Sequence, residues 1–176
     1  NFSITGTVNL ATVLPDITAP LTINGGTNGI TINRNSGTAF RIFNISSSTV
    51  AFNKLTISNG SGVEGGGIYN ASILTLTDCV LSGNTTTGAR PLTGGGAGIF
   101  NAATGTLTVT RCAFVNNTAT GQAGNGGAGS GGGGGGLGGA IYNNGGTVSI
   151  TNTTLSGNQA TGGAGGIGGS SCCIGS

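Results

Sequence analysis

The chain has 176 residues, 40 of them Gly, with only five Lys or Arg, three Asp or Glu and no His. A net charge of +2 and an apolar fraction of 35% exclude disorder of the highly charged kind and suit one folded domain. Three Pro and the lack of a three-residue Gly period exclude collagen.

The basic residues Arg34, Arg41, Lys54, Arg90 and Arg111 are scattered and form no patch for nucleic acid. No apolar run reaches the length of a membrane span. Four Cys, little charge and abundant Thr, Ser, Asn and Gly point to an extracellular or cell-surface setting. No signal-peptide pattern is visible, so an exported protein is expected here as its mature or trimmed chain.

The opening NFSITGTVNL reads as a strand. LTING, ITINRN and FRIFNI then alternate apolar and polar residues at period two, and TVAFNKLTISNG does the same with Val50, Phe52, Leu55 and Ile57. One phrase follows three times: GGGIYNASILTLTDCVLSGNTTTG (65–88), GAGIFNAATGTLTVTRCAFVNNTATG (96–121) and GGAIYNNGGTVSITNTTLSGNQATG (138–162). Ile68, Ile99 and Ile141 correspond, as do Leu76, Val109 and Ile150, and Leu81, Phe114 and Leu155. β-Branched residues dominate and no helical stripe exists, so each repeat is read as three short strands, near 67–70, 74–77 and 79–83 in the first clear copy.

One such repeat cannot bury its own apolar face. Stacking as successive turns of a coil solves this, with parallel strands about 4.8 Å apart and like side chains on like. The expected fold is all-β: a right-handed parallel β-helix of about five three-strand coils, roughly 20–25 Å tall at one strand spacing per coil. Residues 1–162 form the single domain. Residues 122–136 are expected to be an extruded, flexible Gly-rich loop, and 163–176 a Gly/Ser/Cys-rich C-terminal segment. Residues 160–171 are read as a further Gly-rich stretch.

The repeat pattern resembles secreted bacterial right-handed parallel β-helix proteins, the pectin-lyase-like and polymorphic outer-membrane-protein-like surface proteins. The resemblance spans Ile4 to Gly162. It implies the fold, whereas function varies widely on that fold, from lyases and hydrolases to adhesins and structural proteins.

Catalysis is not expected. A glycosidase needs two carboxyls at a set separation, and the only acids are Asp16, Glu64 and Asp78, which are not expected to converge. Without His there is no His-based triad and no imidazole metal site, and no cofactor is expected. Lys54, Asp78, Arg111 and Asn152 fall at one repeat position and read as a charge ladder that alternates in sign. Asn70, Asn101 and Asn143 align at another bend and read as a buried amide ladder.

Cys79 and Cys112 align on neighbouring coils, either as a disulfide or as two thiols in an interior column. Cys172 and Cys173 suit a terminal or intersubunit bridge, or a disordered tail. The Thr75, Thr108 and Ser149 rank and the Thr77, Thr110 and Thr151 rank face outward. They resemble an ice-binding solenoid face, and equally the ordinary solvent side of a strand.

The functional reading is a non-catalytic structural protein that self-associates head to tail into a surface filament or matrix fibre. Unpaired strand edges at both ends of a coil stack invite further strands. Residues 1–10 and 167–176 are the expected junction, with Phe2, Ile4, Val8, Leu10 and Ile174 as interface candidates. The alternative is an adhesin or passenger domain that binds glycans or host surfaces. Ice binding and polysaccharide lysis rank below both.

Overall fold

The computed structural model describes residues 6–88, 94–124 and 132–165. Phe2, Ile4, Cys172, Cys173 and Ile174 lie outside the described residues. All regular structure among the described residues is β, arranged as five parallel sheets that wrap around one core. This is a parallel β-helix.

Sheet I contains Phe43–Ile45, Ile68–Asn70, Ile99–Asn101 and Ile141–Asn143, and Ile17 bridges to Ile45 at its lower edge. Sheet II contains Leu21–Asn24, Thr49–Asn53, Ile73–Thr77, Thr106–Thr110 and Thr147–Thr151. Sheet III contains Gly6–Leu10, Ile30–Arg34, Leu55–Ser58, Val80–Ser82, Ala113–Val115 and Thr154–Ser156.

Alternation at period two sends one set of side chains inward, and the register makes columns of them. Leu21, Val50, Leu74, Leu107 and Val148 form one column, and Ile23, Phe52, Leu76, Val109 and Ile150 a second. Val8, Ile32, Ile57, Leu81, Phe114 and Leu155 form a third. Phe52, Leu76, Val109, Leu81 and Phe114 are fully buried.

Each repeat also has a fourth strand that the three-strand reading lacks. Ser61–Gly62, Thr85–Thr87, Thr118–Thr120 and Gln159–Thr161 pair as sheet IV. Its inward positions hold Gly62, Thr86, Ala119 and Ala160, so it shows no aliphatic alternation in the sequence. Gly94–Gly95 pairs with Gly136–Leu137 as a short sheet V.

The Gly-rich segment 122–136 is not wholly extruded. Gly134 N donates to Gln122 O at 2.7 Å, and Gly163 N donates to Gly134 O at 2.8 Å. The backbones approach so closely that a Cβ on Gly163 would stand 2.0 Å from Gln122 O. Segments rich in Gly thus continue the stack along one side.

The chain turns between sheets through single residues in the left-handed region. Lys54, Asp78, Arg111 and Asn152 make the bend from sheet II to sheet III, with φ between 51° and 53°. Asn59, Gly83, Asn116 and Gly157 make the next bend, from sheet III to sheet IV. Left-handed backbone costs an ordinary L-residue roughly 1–2 kcal/mol, and Asn and Asp least. Gly96, at φ 60°, makes the bend before sheet I, where a Cβ would lie 2.2 Å from Ile99 O.

Column packing makes a direct prediction. Leu76→Ala opens a cavity between Phe52 and Val109 and is expected to cost about 2–5 kcal/mol. Thr75→Ala, on the outer face of the same strand, is expected to stay within about 0.5 kcal/mol. Urea denaturation midpoints of the two variants test this.

Candidate functional site

Stacked strands satisfy their own amides, but the bends leave carbonyls facing the interior. Asparagine fills this need because its side chain both donates and accepts. Asn70 Nδ2 donates to Asn101 Oδ1 at 2.7 Å, and Asn101 Nδ2 donates to Asn143 Oδ1 at 2.8 Å. Asn101 Nδ2 also reaches Gly105 O at 3.1 Å across the bend from sheet I to sheet II. Asn70 and Asn101 are fully buried, whereas Asn143 is exposed on the last coil.

A second ladder stands at the bend from sheet III to sheet IV, where the sequence reading marked none. Asn84 Nδ2 donates to Asn117 Oδ1 at 2.9 Å and Asn117 Nδ2 to Asn158 Oδ1 at 2.8 Å. The same amides reach back to the coil below, at Ile57 O (3.0 Å), Leu81 O (2.9 Å) and Phe114 O (2.8 Å). Asn84 N and Asn117 N donate to the same oxygens one coil up. The signal was the Asn placed three residues after Leu81, Phe114 and Leu155 in every repeat. Among the described residues, Thr86 Oγ1 is the one buried side-chain polar atom without a partner.

The charged bend brings two of its members together. Arg111 Nε and Nη2 grip the Asp78 carboxylate at 2.8 and 3.1 Å. The hydrogen bond from Arg111, and then its charge, hold Asp78 below the usual carboxylate range, and Lys54 adds a smaller pull. Lys54 makes no ion pair among the described residues, and the pair itself is exposed.

Cys79 and Cys112 stand in the structure as free, buried thiols. Cys79 N donates to Cys112 Sγ at 3.3 Å, and Cys79 Sγ to Phe52 O at 3.3 Å. The hydrogen bond with Cys112, and then burial, push the Cys79 thiol well up. That same hydrogen bond lowers Cys112.

Burial lowers the Arg41 guanidinium, and the charges of Glu64, Tyr69 and Asp16 oppose that effect. Arg41 lies 4.8 Å from the Tyr69 ring centroid. Tyr69 in turn stacks on Phe100 at 5.3 Å, and Phe100 meets Tyr142 at 5.5 Å. Asp78 lies apart with Arg111.

On the outer face of sheet II, Thr75, Thr108 and Ser149 form one rank and Thr77, Thr110 and Thr151 the next. The exposed Ile73 interrupts the neighbouring rank of Thr49, Thr106 and Thr147. A polar groove of about 540 Å³ lies beside sheet III, lined by Asn33, Arg34, Asn35, Asn59 and Thr85 among others. Arg34 Nε donates to Asn59 O at 2.6 Å and Nη1 to Thr38 O at 3.0 Å, which fastens that arginine to the next coil and to its own loop.

The remaining feature is the pair of ends. Val8 is exposed on the first strand, with Leu10 half-buried beside it, and Ile150 and Leu155 are exposed on the last coil. No helix among the described residues is long and apolar enough to cross a membrane. No family model, curated protein or solved structure matches the chain.

Two outcomes are expected. Asn117→Ala strands Leu81 O and the amides of Asn84, and at about 1–3 kcal/mol per buried unsatisfied group it should lower stability by about 3 kcal/mol or more. Denaturant unfolding reads this loss directly. Asp78 should titrate below the ordinary value of about 3.9. Because folding depresses its pKa, its contribution is present above the unfolded value and fades as pH falls through the folded one. NMR titration of the carboxyl carbon should give that low midpoint, and Arg111→Ala should return it toward the ordinary value.

Proposed function

We propose that this chain is a non-catalytic extracellular structural protein whose coils stack end to end into a fibre. One observation carries the reading. Of the six large apolar side chains exposed among the described residues, Val8, Val13 and Leu21 lie in the first coil and Ile150 and Leu155 in the last, leaving only Ile73 between. Val8 at 38% exposure and Leu155 at 52% are the two ends of a single interior column.

Open strand edges accept further strands. A contact between unlike ends repeats without closing and makes a filament. A net charge of +2 sets little repulsion against it. Resemblance of the repeats to those of secreted surface proteins points to the cell exterior, as does the scarcity of charge.

An adhesin or passenger domain is the second reading, and the polar groove beside Arg34 is the feature that favours it. A glycan is the ligand class for that groove.

Negative-stain electron microscopy of the native secreted material separates the two. Stacking predicts fibres with an axial repeat of roughly 29 Å or somewhat more, since each copy fills six strand spacings in sheet III. Single compact particles at every concentration would sink the fibre reading and turn attention to glycan binding.

A further inference from the structure

The bends turn backbone oxygens toward the interior, and the ladders of Asn101 and Asn84 answer them at two bends. The bend from sheet IV back to sheet I has no asparagine in the third coil. There the chain runs Val63, Glu64, Gly65, Gly66, Gly67 between sheet IV and Ile68. We infer that a buried water molecule takes the place of the asparagine at this bend. It is held by the Thr86 hydroxyl and by the carbonyls of Glu64 and Gly65. The inference is independent of whether the ends of the stack associate.

The polar groups of this corner do not all pair with one another. Thr86 is 1% exposed, and its Oγ1 has no hydrogen-bond partner among the described residues. A hydroxyl carries one donor and two acceptor sites, and a buried one without a partner is costly. The oxygens of Glu64 and Gly65 accept from no backbone amide among the described residues. The carbonyls on either side are paired. Val63 O accepts from Gly95 N at 3.2 Å, and Gly66 O accepts from Ile42 N at 3.3 Å.

Strand register brings these atoms to one place. Gly62 pairs with Thr86 in sheet IV, one strand spacing below it. A Cβ added to Gly62 would meet Glu64 O, Gly65 O and Arg41 Cβ, each at 3.9 Å. Nothing stands nearer, so the inward side of Gly62 has room where a side chain would lie. Thr86 borders that room from the coil above, and the two carbonyl oxygens form part of its wall.

Water suits this set of groups. It can donate to both carbonyls and accept from the hydroxyl, and three hydrogen bonds are typical of a buried water. An apolar occupant would leave all three oxygens unpaired. A cation would share the corner with the Arg41 side chain, and no group of three Asp, Glu, His or Cys side chains suited to a metal stands among the described residues. The inward positions of sheet IV are Gly62, Thr86, Ala119 and Ala160, so Thr86 supplies the one hydroxyl. The site is therefore a single rung that joins this bend to the coil above, as the asparagines do at the other bends.

Thr86→Val tests the inference, because valine keeps the branched shape and removes the hydroxyl. With a bridging water, the variant is expected to lower the folding equilibrium constant about tenfold, read by denaturant unfolding. An unchanged or higher constant would overturn the inference, since valine would then have relieved a hydroxyl that was merely unpaired.

A crystal structure of the unaltered chain gives the second reading. It is expected to show an ordered water about 2.7–3.2 Å from Thr86 Oγ1, Glu64 O and Gly65 O. A dry corner, or a Thr86 hydroxyl turned directly onto either carbonyl, would overturn the site. An ion bound at about 2.3–2.6 Å from these oxygens would exclude water as the occupant.

Discussion

Everything in this fold depends on one constraint: each coil must present to the next the same pattern it receives. Strand edges supply most of the match through backbone hydrogen bonds, but the bends cannot. There the chain passes through a left-handed residue, and carbonyls such as Ile57 O and Leu81 O point into the interior. A buried carbonyl needs a donor. The NH₂ of the Asn one coil up supplies it and also donates to the Asn oxygen of the coil beyond, while its own oxygen accepts from the coil below. The two Asn ladders thus join coils where the sheets cannot, and a slipped coil would leave several buried groups unpaired.

The unusual composition follows from that constraint. Like positions stack at one strand spacing, so a charge in one coil meets the same position in the next. The bend that alternates Asp78 with Arg111 accommodates it, and there the two residues pair directly. Glycine gathers where backbones pass too close for a Cβ, as between Gly163 and Gln122. Interior columns tolerate exchange among Leu, Val, Ile and Phe because volume, not identity, sets their packing.

Sheets I to III were legible because Ile68, Leu74, Leu76 and Leu81 recur at period two in each copy. Sheet IV was not, since Thr86 and Ala119 fill its inward positions and leave no apolar alternation to detect. The first Asn ladder showed in the alignment of Asn70, Asn101 and Asn143. The second was equally regular, but SGN and VNN read as ordinary turn sequences, which concealed a buried donor. The cysteine alignment was ambiguous because equivalent positions on parallel strands suit a bridge and equally suit two thiols in an interior column, which is how the structure holds them.

The same regularity bears on what the protein does. Both amide ladders close at Asn143 and Asn158, whose side chains are satisfied within the last coils. The fibre proposed above would draw on that regularity, with the groove beside Arg34 on its flank.

The account stands most directly on the buried amide ladders. Side-chain amide exchange by NMR measures them without mutation. The NH₂ groups of Asn70, Asn84, Asn101 and Asn117 should exchange as slowly as the backbone of the central strands, while those of Asn143 and Asn152 exchange quickly. Uniformly fast exchange at all six would contradict the ladders, and with them the stacking on which the rest of the structure depends.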